Sequence, residues 1–172
     1  DPERSTYLKP GFEKVEFSFP DVNGNKISLA DEKYRNKVVV LQILGTWCPN
    51  CMDETKFLGP WYDENKDRGV EIIGLAYERK EDFSYASARV KKMIDKFKPA
   101  YDFVIAGVYN STSPSESLPM LNKVAIFPTT IFIGKDGKVK KIYTGFSGQG
   151  TGKYFDEYVQ HFNETINELL SE

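Results

Sequence analysis

The spacing of apolar and polar residues predicts most elements of this chain. Residues 15–19 alternate and stop at Pro20. Residues 26–29 answer them across Asp21-Val-Asn-Gly-Asn, so a β-hairpin is predicted there. Residues 38–45 form an apolar, β-branched run, the signature of a buried strand. A helix is predicted from Cys48, with Pro49 suited to its first position. Helical character continues through 52–66, where Gly59-Pro60 is expected to kink or split the helix and Gly69 to cap it. Residues 70–77 read as a second buried strand. Phe83, Ala86, Val90, Ile94 and Phe97 then recur at helical spacing, with Arg89, Lys91, Lys92 and Lys96 as the solvated face.

Residues 101–108 predict another strand, and 109–119, rich in Ser, Thr and Pro, an irregular loop ending in a short helix at 120–124. Runs 129–134 and 139–146 flank Lys135-Asp-Gly-Lys, a hairpin signal. Residues 148–152 are glycine-rich but lack the lysine and spacing of a phosphate loop, so they read as a connection. Phe155, Tyr158, Val159, Phe162, Ile166 and Leu169 mark a closing amphipathic helix, with His161 on its surface face. Parallel strands joined by helices, followed by an antiparallel hairpin and a last helix, predict an α/β fold. It has a mixed central sheet flanked by helices, an N-terminal β-hairpin and an insertion before the final hairpin. Residues 1–11 are polar with two prolines and read as a flexible leader, and 12–172 as a single domain.

Composition narrows this picture only modestly. With 172 residues, 40% of them hydrophobic and 28% charged, one domain can bury a real core. A net charge of −2 gives no electrostatic case for nucleic acid or an anionic membrane surface. The longest apolar run, 38–44, is interrupted by Gln42 and is far too short for a membrane-spanning segment. The chain starts at Asp1 rather than Met, which fits a removed targeting segment. Asp21, Asn23, Asn25 and Glu32 fall at calcium-loop positions, but Lys26 stands where the sharp turn needs glycine, and the hairpin is preferred.

The chemistry concentrates in VVVLQILGTWCPNC, 38–51. With a helix opening at Cys48, its sulfur meets the unpaired N–H groups and positive end of that helix, which stabilise a thiolate. Cys51, three residues on, shares the same face and can form or resolve a disulfide with it. A zinc site would need further ligands, and His161 is the only histidine. A structural disulfide between residues this close would staple little. The pair reads as a redox dithiol, with no metal or other cofactor required.

GTWCPNC resembles the strand–turn–helix of the thioredoxin superfamily. NKVVVLQILGTWCPNC, GVEIIGLAYE and IFPTTIFIGKDGKV together resemble the TlpA/ResA-like thiol–disulfide oxidoreductases, from about Phe17 to the last helix. A thioredoxin-like fold is what the resemblance implies. So is protein disulfide exchange, with Cys48 attacking and Cys51 resolving, and a partner-binding surface of Trp47, Pro49, Phe127, Pro128 and Thr129. By itself Pro128 could be an ordinary edge or turn residue. The resemblance implies a cis bond there, facing the dithiol, where a partner's extended chain could pair. It also implies a glutamate at the end of the GLAYE strand, Glu78, beneath the dithiol and able to pass a proton to or from Cys51.

The implied partners are disulfide- or thiol-bearing proteins and an upstream thiol–disulfide electron donor. The implied setting is extracytoplasmic, of bacterial periplasm type, with room for a membrane tether in a removed N-terminal segment. A reductant is favoured, although Cys-Pro-Asn-Cys differs from thioredoxin's Cys-Gly-Pro-Cys and leaves direction open. Two other readings stand beside this one. A peroxiredoxin-like peroxidase would need Thr-x-x-Cys, and Gly45 stands where the threonine would precede Cys48. A redox-inert binding module would use the cysteines only for shape.

Overall fold

Two apolar runs make the centre of the sheet. β3 (Val38–Leu44) and β4 (Val70–Glu78) are buried along their whole lengths, as strands covered on both faces must be. The computed structural model describes residues 4–172. Around the two central strands it places β1 (Ser18–Pro20), β2 (Lys26–Ser28), α1 (Pro49–Asn65), α2 (Phe83–Phe97) and β5 (Asp102–Val108). Next come α3 (Ser113–Ser117), β6 (Thr129–Ile133), β7 (Val139–Thr144) and α4 (Lys153–Leu170). The main sheet runs β5-β4-β3-β6-β7, and β1-β2 form a separate hairpin. β4 and β5 extend the sheet from β3 in parallel, and β6 and β7 extend it antiparallel on the other side. This is the thioredoxin-like, mixed-sheet α/β architecture.

Register positions the site. Val39 faces Ile133 and Ile43 faces Thr129, so the C-terminal end of β3 lies beside the start of β6. The C-terminal end of β4 reaches the same edge, where Leu44 pairs with Ala76. Whatever follows β3, ends β4 or precedes β6 therefore meets at one pole of the sheet.

The alternation of β3 divides the core. Val38, Val40 and Leu44 face a cluster with Leu58 and Trp61 of α1, Val90 of α2, and Phe162 and Ile166 of α4. Val39, Leu41 and Ile43 face Val15, Phe17, Tyr34, Leu118 and Leu121. The three long helices thus share one face, and the other is covered by the N-terminal segment and the loop before β6.

Several local expectations are revised. The first hairpin ladders only Ser18–Pro20 against Lys26–Ser28, while Val15 and Phe17 are buried against the sheet instead. Asp21 accepts the amides of Asn23 and Asn25 at 2.8 and 3.0 Å, which uses its carboxylate to close the turn. α1 passes through Gly59-Pro60 as one helix, with Pro60 on the exposed side. The short helix lies at Ser113–Ser117 rather than 120–124. Pro114 opens it, and the Asn110 side chain accepts the Thr112 and Ser113 amides at its start. Residues 120–122 instead pair with the expected leader. Leu8 bridges Leu121, the Lys9 amide bonds the Met120 carbonyl, and Asn122 bonds both Tyr7 and Ser5.

Phe162 is the hub of the helical face. Its ring lies 5.3 Å from Phe57, 4.9 Å from Trp61 and 5.5 Å from Phe132, all edge-on. Phe162→Ala should destabilise the fold by about 3–5 kcal/mol in urea or guanidinium unfolding, with the m-value unchanged. A loss below about 1 kcal/mol would show that the cluster does not carry this stability.

Candidate active site

The dithiol is built by a strand that ends, a short turn and a helix that begins. Cys48 caps α1 from an extended conformation, φ −99° and ψ 110°, and its Sγ accepts the Cys51 amide at 3.2 Å. Pro49 occupies the helix start, where its missing N–H leaves no bond unmade. The turn before Cys48 is tied at three points. The Cys48 amide bonds the Gly45 carbonyl at 3.1 Å. The Trp47 indole N–H donates to the Tyr77 carbonyl at 2.9 Å. The Thr46 amide donates to the Glu78 carboxylate at 2.8 Å, and the Thr46 hydroxyl donates to it as well. Gly45 is required here, because a Cβ on it would run into the Trp47 indole.

Both sulfurs are free thiols, but their surroundings differ. Cys48 keeps 6% of its surface exposed, and Cys51 none. A hydrogen bond from the Cys51 side chain, aided by the Cys51 and Asn50 amides, lowers Cys48 from 9.0 to about 7, against the opposing effect of burial. Burial pushes Cys51 far up, and the neighbouring Cys48 sulfur adds to it. Near neutral pH the pair therefore holds one substantially ionised sulfur and one protonated sulfur. That is the arrangement of a nucleophile with a resolving thiol.

The loop before β6 closes over this pair. The Phe127–Pro128 peptide is cis, and the Phe127 carbonyl lies 3.8 Å from Cys48 Sγ. The Phe127 ring packs 5.4 Å from Trp47. Pro128 is buried, and its carbonyl accepts the Gly145 amide at 2.8 Å. Thr129 is also buried and donates its hydroxyl to the Ile126 carbonyl at 2.6 Å, so its side chain shapes the loop rather than facing a partner. Asn50 links the motif to the far side of the site through a 3.0 Å bond to the Phe146 carbonyl. Cys48, Cys51, Trp47, Pro49, Phe127 and Pro128 thus gather at one pole of the sheet. His161 sits on the exposed face of α4 beside Glu164.

Two carboxylates, Glu78 and Glu54, are buried in this part of the molecule. Glu78 is 1% exposed at the end of β4, and both its oxygens are taken by Thr46, so it holds the turn. Glu54, fully buried on α1, bears on Cys51 by its charge, as Asp53 does on Cys48. One of its oxygens accepts from Thr130 at 2.9 Å and Tyr158 at 3.3 Å, and the other has no partner among the described residues. Burial raises Glu54 from 4.5 to about 7. Sequence reasoning passed over Glu54, although its place three residues after Cys51 puts both on one helix face.

A cleft of about 810 Å³, lined in part by Val15, Phe17, Arg35, Lys37 and Ile133, opens elsewhere. It lies at the other end of β3 and β6, roughly 20 Å along the strands from the dithiol. Among the described residues, no cluster of His, Cys, Asp and Glu is arranged to hold a metal ion.

Comparison with known proteins gives a consistent picture. Residues 10–159 match the Redoxin family. The chain is 34% identical over 157 residues to a thiol-disulfide oxidoreductase ResA of Bacillus cereus, covering 89% of this chain and 78% of that protein. It is 29% identical over 137 residues to ResA of Halalkalibacterium halodurans, covering 80% and 69% respectively. A thiol:disulfide interchange protein DsbE from Chlorobium tepidum superposes with a TM-score of 0.64 at 18% identity, over 90% of this chain and 98% of that one. A protein disulfide isomerase-like structure from Bacteroides thetaiotaomicron gives 0.70 at 19% identity, over 97% and 93%. At these identities the two structures speak for the fold.

The difference between the sulfurs is measurable. Alkylation of the reduced protein should modify Cys48 first, with a rate that rises through a midpoint at about pH 7, while Cys51 stays protected until the fold opens. Mass mapping that finds Cys51 modified first would reverse the assignment.

Proposed function

The chain belongs to the Redoxin family and is a thiol–disulfide oxidoreductase, and we propose that it reduces partner proteins, with Cys48 attacking and Cys51 resolving. Its partners are thiol- or disulfide-bearing proteins. The observation that carries the proposal is the Cys51 amide donated to Cys48 Sγ, in a pair whose sulfurs ionise in opposite senses.

The Cys48 thiolate attacks one sulfur of a partner disulfide. That bond breaks, and the departing partner sulfur leaves as a thiolate and takes a proton from water. Cys51 then gives its proton to the Glu54 carboxylate and attacks Cys48 Sγ. The mixed disulfide breaks, the partner leaves with both sulfurs reduced, and Cys48–Cys51 is left oxidised. An upstream dithiol must return the two electrons. Trp47, Pro49, Phe127 and the Pro128 loop form the surface against which the partner lies, and Glu78 keeps the turn in place through Thr46.

Support for the reducing direction comes from Cys48 itself. A thiol at about 7 resembles that of the reductant thioredoxin, not the value near 3.5 of the oxidant DsbA. A thiolate stabilised less strongly is given up more readily to a disulfide, which favours reduction of the partner. An extracytoplasmic, periplasm-type setting belongs to the same reading, since disulfides persist in oxidising compartments and give a reductant its substrates. No helix among the described residues is long and apolar enough to cross a membrane.

Two experiments test this reading. Cys51→Ser, reduced and mixed with a disulfide-bonded protein, should accumulate a mixed disulfide through Cys48. Equilibration of the wild type in glutathione or dithiothreitol buffers should give a potential below about −200 mV. Absence of any trapped adduct would remove the assigned roles, and a potential near about −120 mV would reverse the direction.

Glu54→Gln should slow resolution of the mixed disulfide by roughly 10²-fold. In the wild type, resolution should rise with pH to a plateau above about 7, because only the carboxylate accepts a proton; the variant should lose that inflection. Stability gives an independent sign. The folded-state value is raised from 4.5 to about 7, so the wild type should lose stability as pH climbs across that window, and Glu54→Gln should flatten the loss. Unchanged pH profiles for both rate and stability would free Glu54 of this role.

A further inference from the structure

Beside the sulfurs lies a surface that exchange chemistry alone does not require. Trp47, Tyr109 and Phe127 come from three separate segments and form one aromatic cluster. Tyr109 packs 4.2 Å from Trp47 and 5.2 Å from Phe127. Two of the three are held firmly. Trp47 donates to the Tyr77 carbonyl, and the Tyr109 amide bonds the Glu78 carbonyl at 2.6 Å. Tyr109 nevertheless leaves 44% of its surface open to solvent. The cluster adjoins the nucleophile, because the Phe127 carbonyl is 3.8 Å from Cys48 Sγ.

Arg79, just past β4, completes the feature. Its guanidinium lies 5.4 Å from the Trp47 ring centroid, it is exposed, and it makes no ion pair with an acid among the described residues. Stacking on an anchored ring restricts the guanidinium while leaving its N–H groups free to bind a carboxylate. Other exposed aromatics do not share this setting. Tyr154 and Phe83 are comparably open, at 56% and 43%, but neither packs against a second aromatic ring among the described residues.

An anchored, open aromatic face beside an unpaired arginine is complementary to a peptide bearing an aromatic side chain and a carboxylate. We propose that Trp47, Tyr109 and Phe127, with Arg79 at their edge, select partner disulfides flanked by an aromatic and an acidic residue. The proposal rests on the exchange reading above and specifies its substrate class. The aromatic residue packs on Tyr109 and Trp47, and the carboxylate meets Arg79 as the partner's sulfur comes into line with Cys48.

The test uses four synthetic peptides, each closed by one internal disulfide. They carry Phe or Ala, and Glu or Gln, next to the cysteine attacked. Second-order rate constants with the reduced protein are divided by the rate with 2-hydroxyethyl disulfide, which has no side chains to recognise. The Phe/Glu peptide should exceed the Ala/Gln peptide by about tenfold. Tyr109→Ala should abolish the Phe preference. Arg79→Gln should abolish the Glu preference, Arg79→Lys should retain part of it, and Tyr154→Ala should leave both intact. Wild-type rates within about twofold across the four peptides would overturn the proposal while leaving exchange standing. So would preferences that survive in Tyr109→Ala and Arg79→Gln. No reaction with 2-hydroxyethyl disulfide would overturn the exchange reading, and this proposal with it.

Discussion

One hydrogen bond sets the geometry on which the site depends: the Cys51 amide donated to Cys48 Sγ at 3.2 Å. It exists only because α1 opens immediately after Cys48, so that first-turn amides lack carbonyl partners and turn toward the sulfur. The opening of the helix depends in turn on where β3 ends, and the buried pairing of β3 with β4 and β6 fixes that end. Thr46 and Trp47 carry the chain from strand to helix and are bonded to the last two residues of β4. A hydrophobic sheet thus delivers a polar constraint at its edge. Loss of an anchor there would disturb the sulfur without removing much of the core.

The two cysteines show how position alone can separate identical groups. They are three residues apart on one helix face, and both are largely withdrawn from water. Hydrogen bonds prevail at Cys48, because its sulfur lies at the open end of the helix and receives donors from Cys51 and Asn50. Desolvation prevails at Cys51, one turn deeper under the end of β3, where the Gly45 backbone bond only partly offsets it. Each sulfur also strengthens the asymmetry of the other. The Cys51 thiol donates toward Cys48, and a charged Cys48 opposes ionisation of Cys51. The pair therefore favours one nucleophile at a time.

Much of this was legible in the chain because it rests on short-range pattern. Continuous apolar runs marked β3 and β4, helical spacing marked α2 and α4, and the Cys-x-x-Cys after a strand marked the dithiol. What escaped the sequence depends on contacts between distant segments. Residues 120–124 have the composition of a short helix, but Leu121 and Asn122 are used instead by Leu8, Tyr7 and Ser5, more than 100 positions away. α1 survives Gly59-Pro60 because Pro60 faces outward, and spacing does not reveal that. Glu78 was singled out through the family resemblance, but its burial partner Thr46 comes from another strand's exit. Glu54 carried a periodic signal, three residues beyond Cys51, that a search limited to cysteines and strand ends passes over.

The setting of Glu54 argues against a merely structural acid. Its one bonded oxygen is shared by Thr130 of β6 and Tyr158 of α4, while the second oxygen is buried without a partner among the described residues. Burial raises its proton affinity, from 4.5 to about 7, against the opposing bonds from Thr130, Tyr158 and Gln42. The nearby Gln42 is buried too, but carries no charge to desolvate. Its amide donates to Thr55 and its carbonyl accepts from Tyr101, so both ends are engaged. Glu54 stands on α1 and is bonded by β6 and α4, with the field of its own carboxylate bearing on Cys51. Trp47, Tyr109 and Phe127 of the loop before β6 gather instead beside Cys48. The first turn of α1 is where the two meet, with Cys48 at the helix opening and the fully buried Cys51 three residues before Glu54.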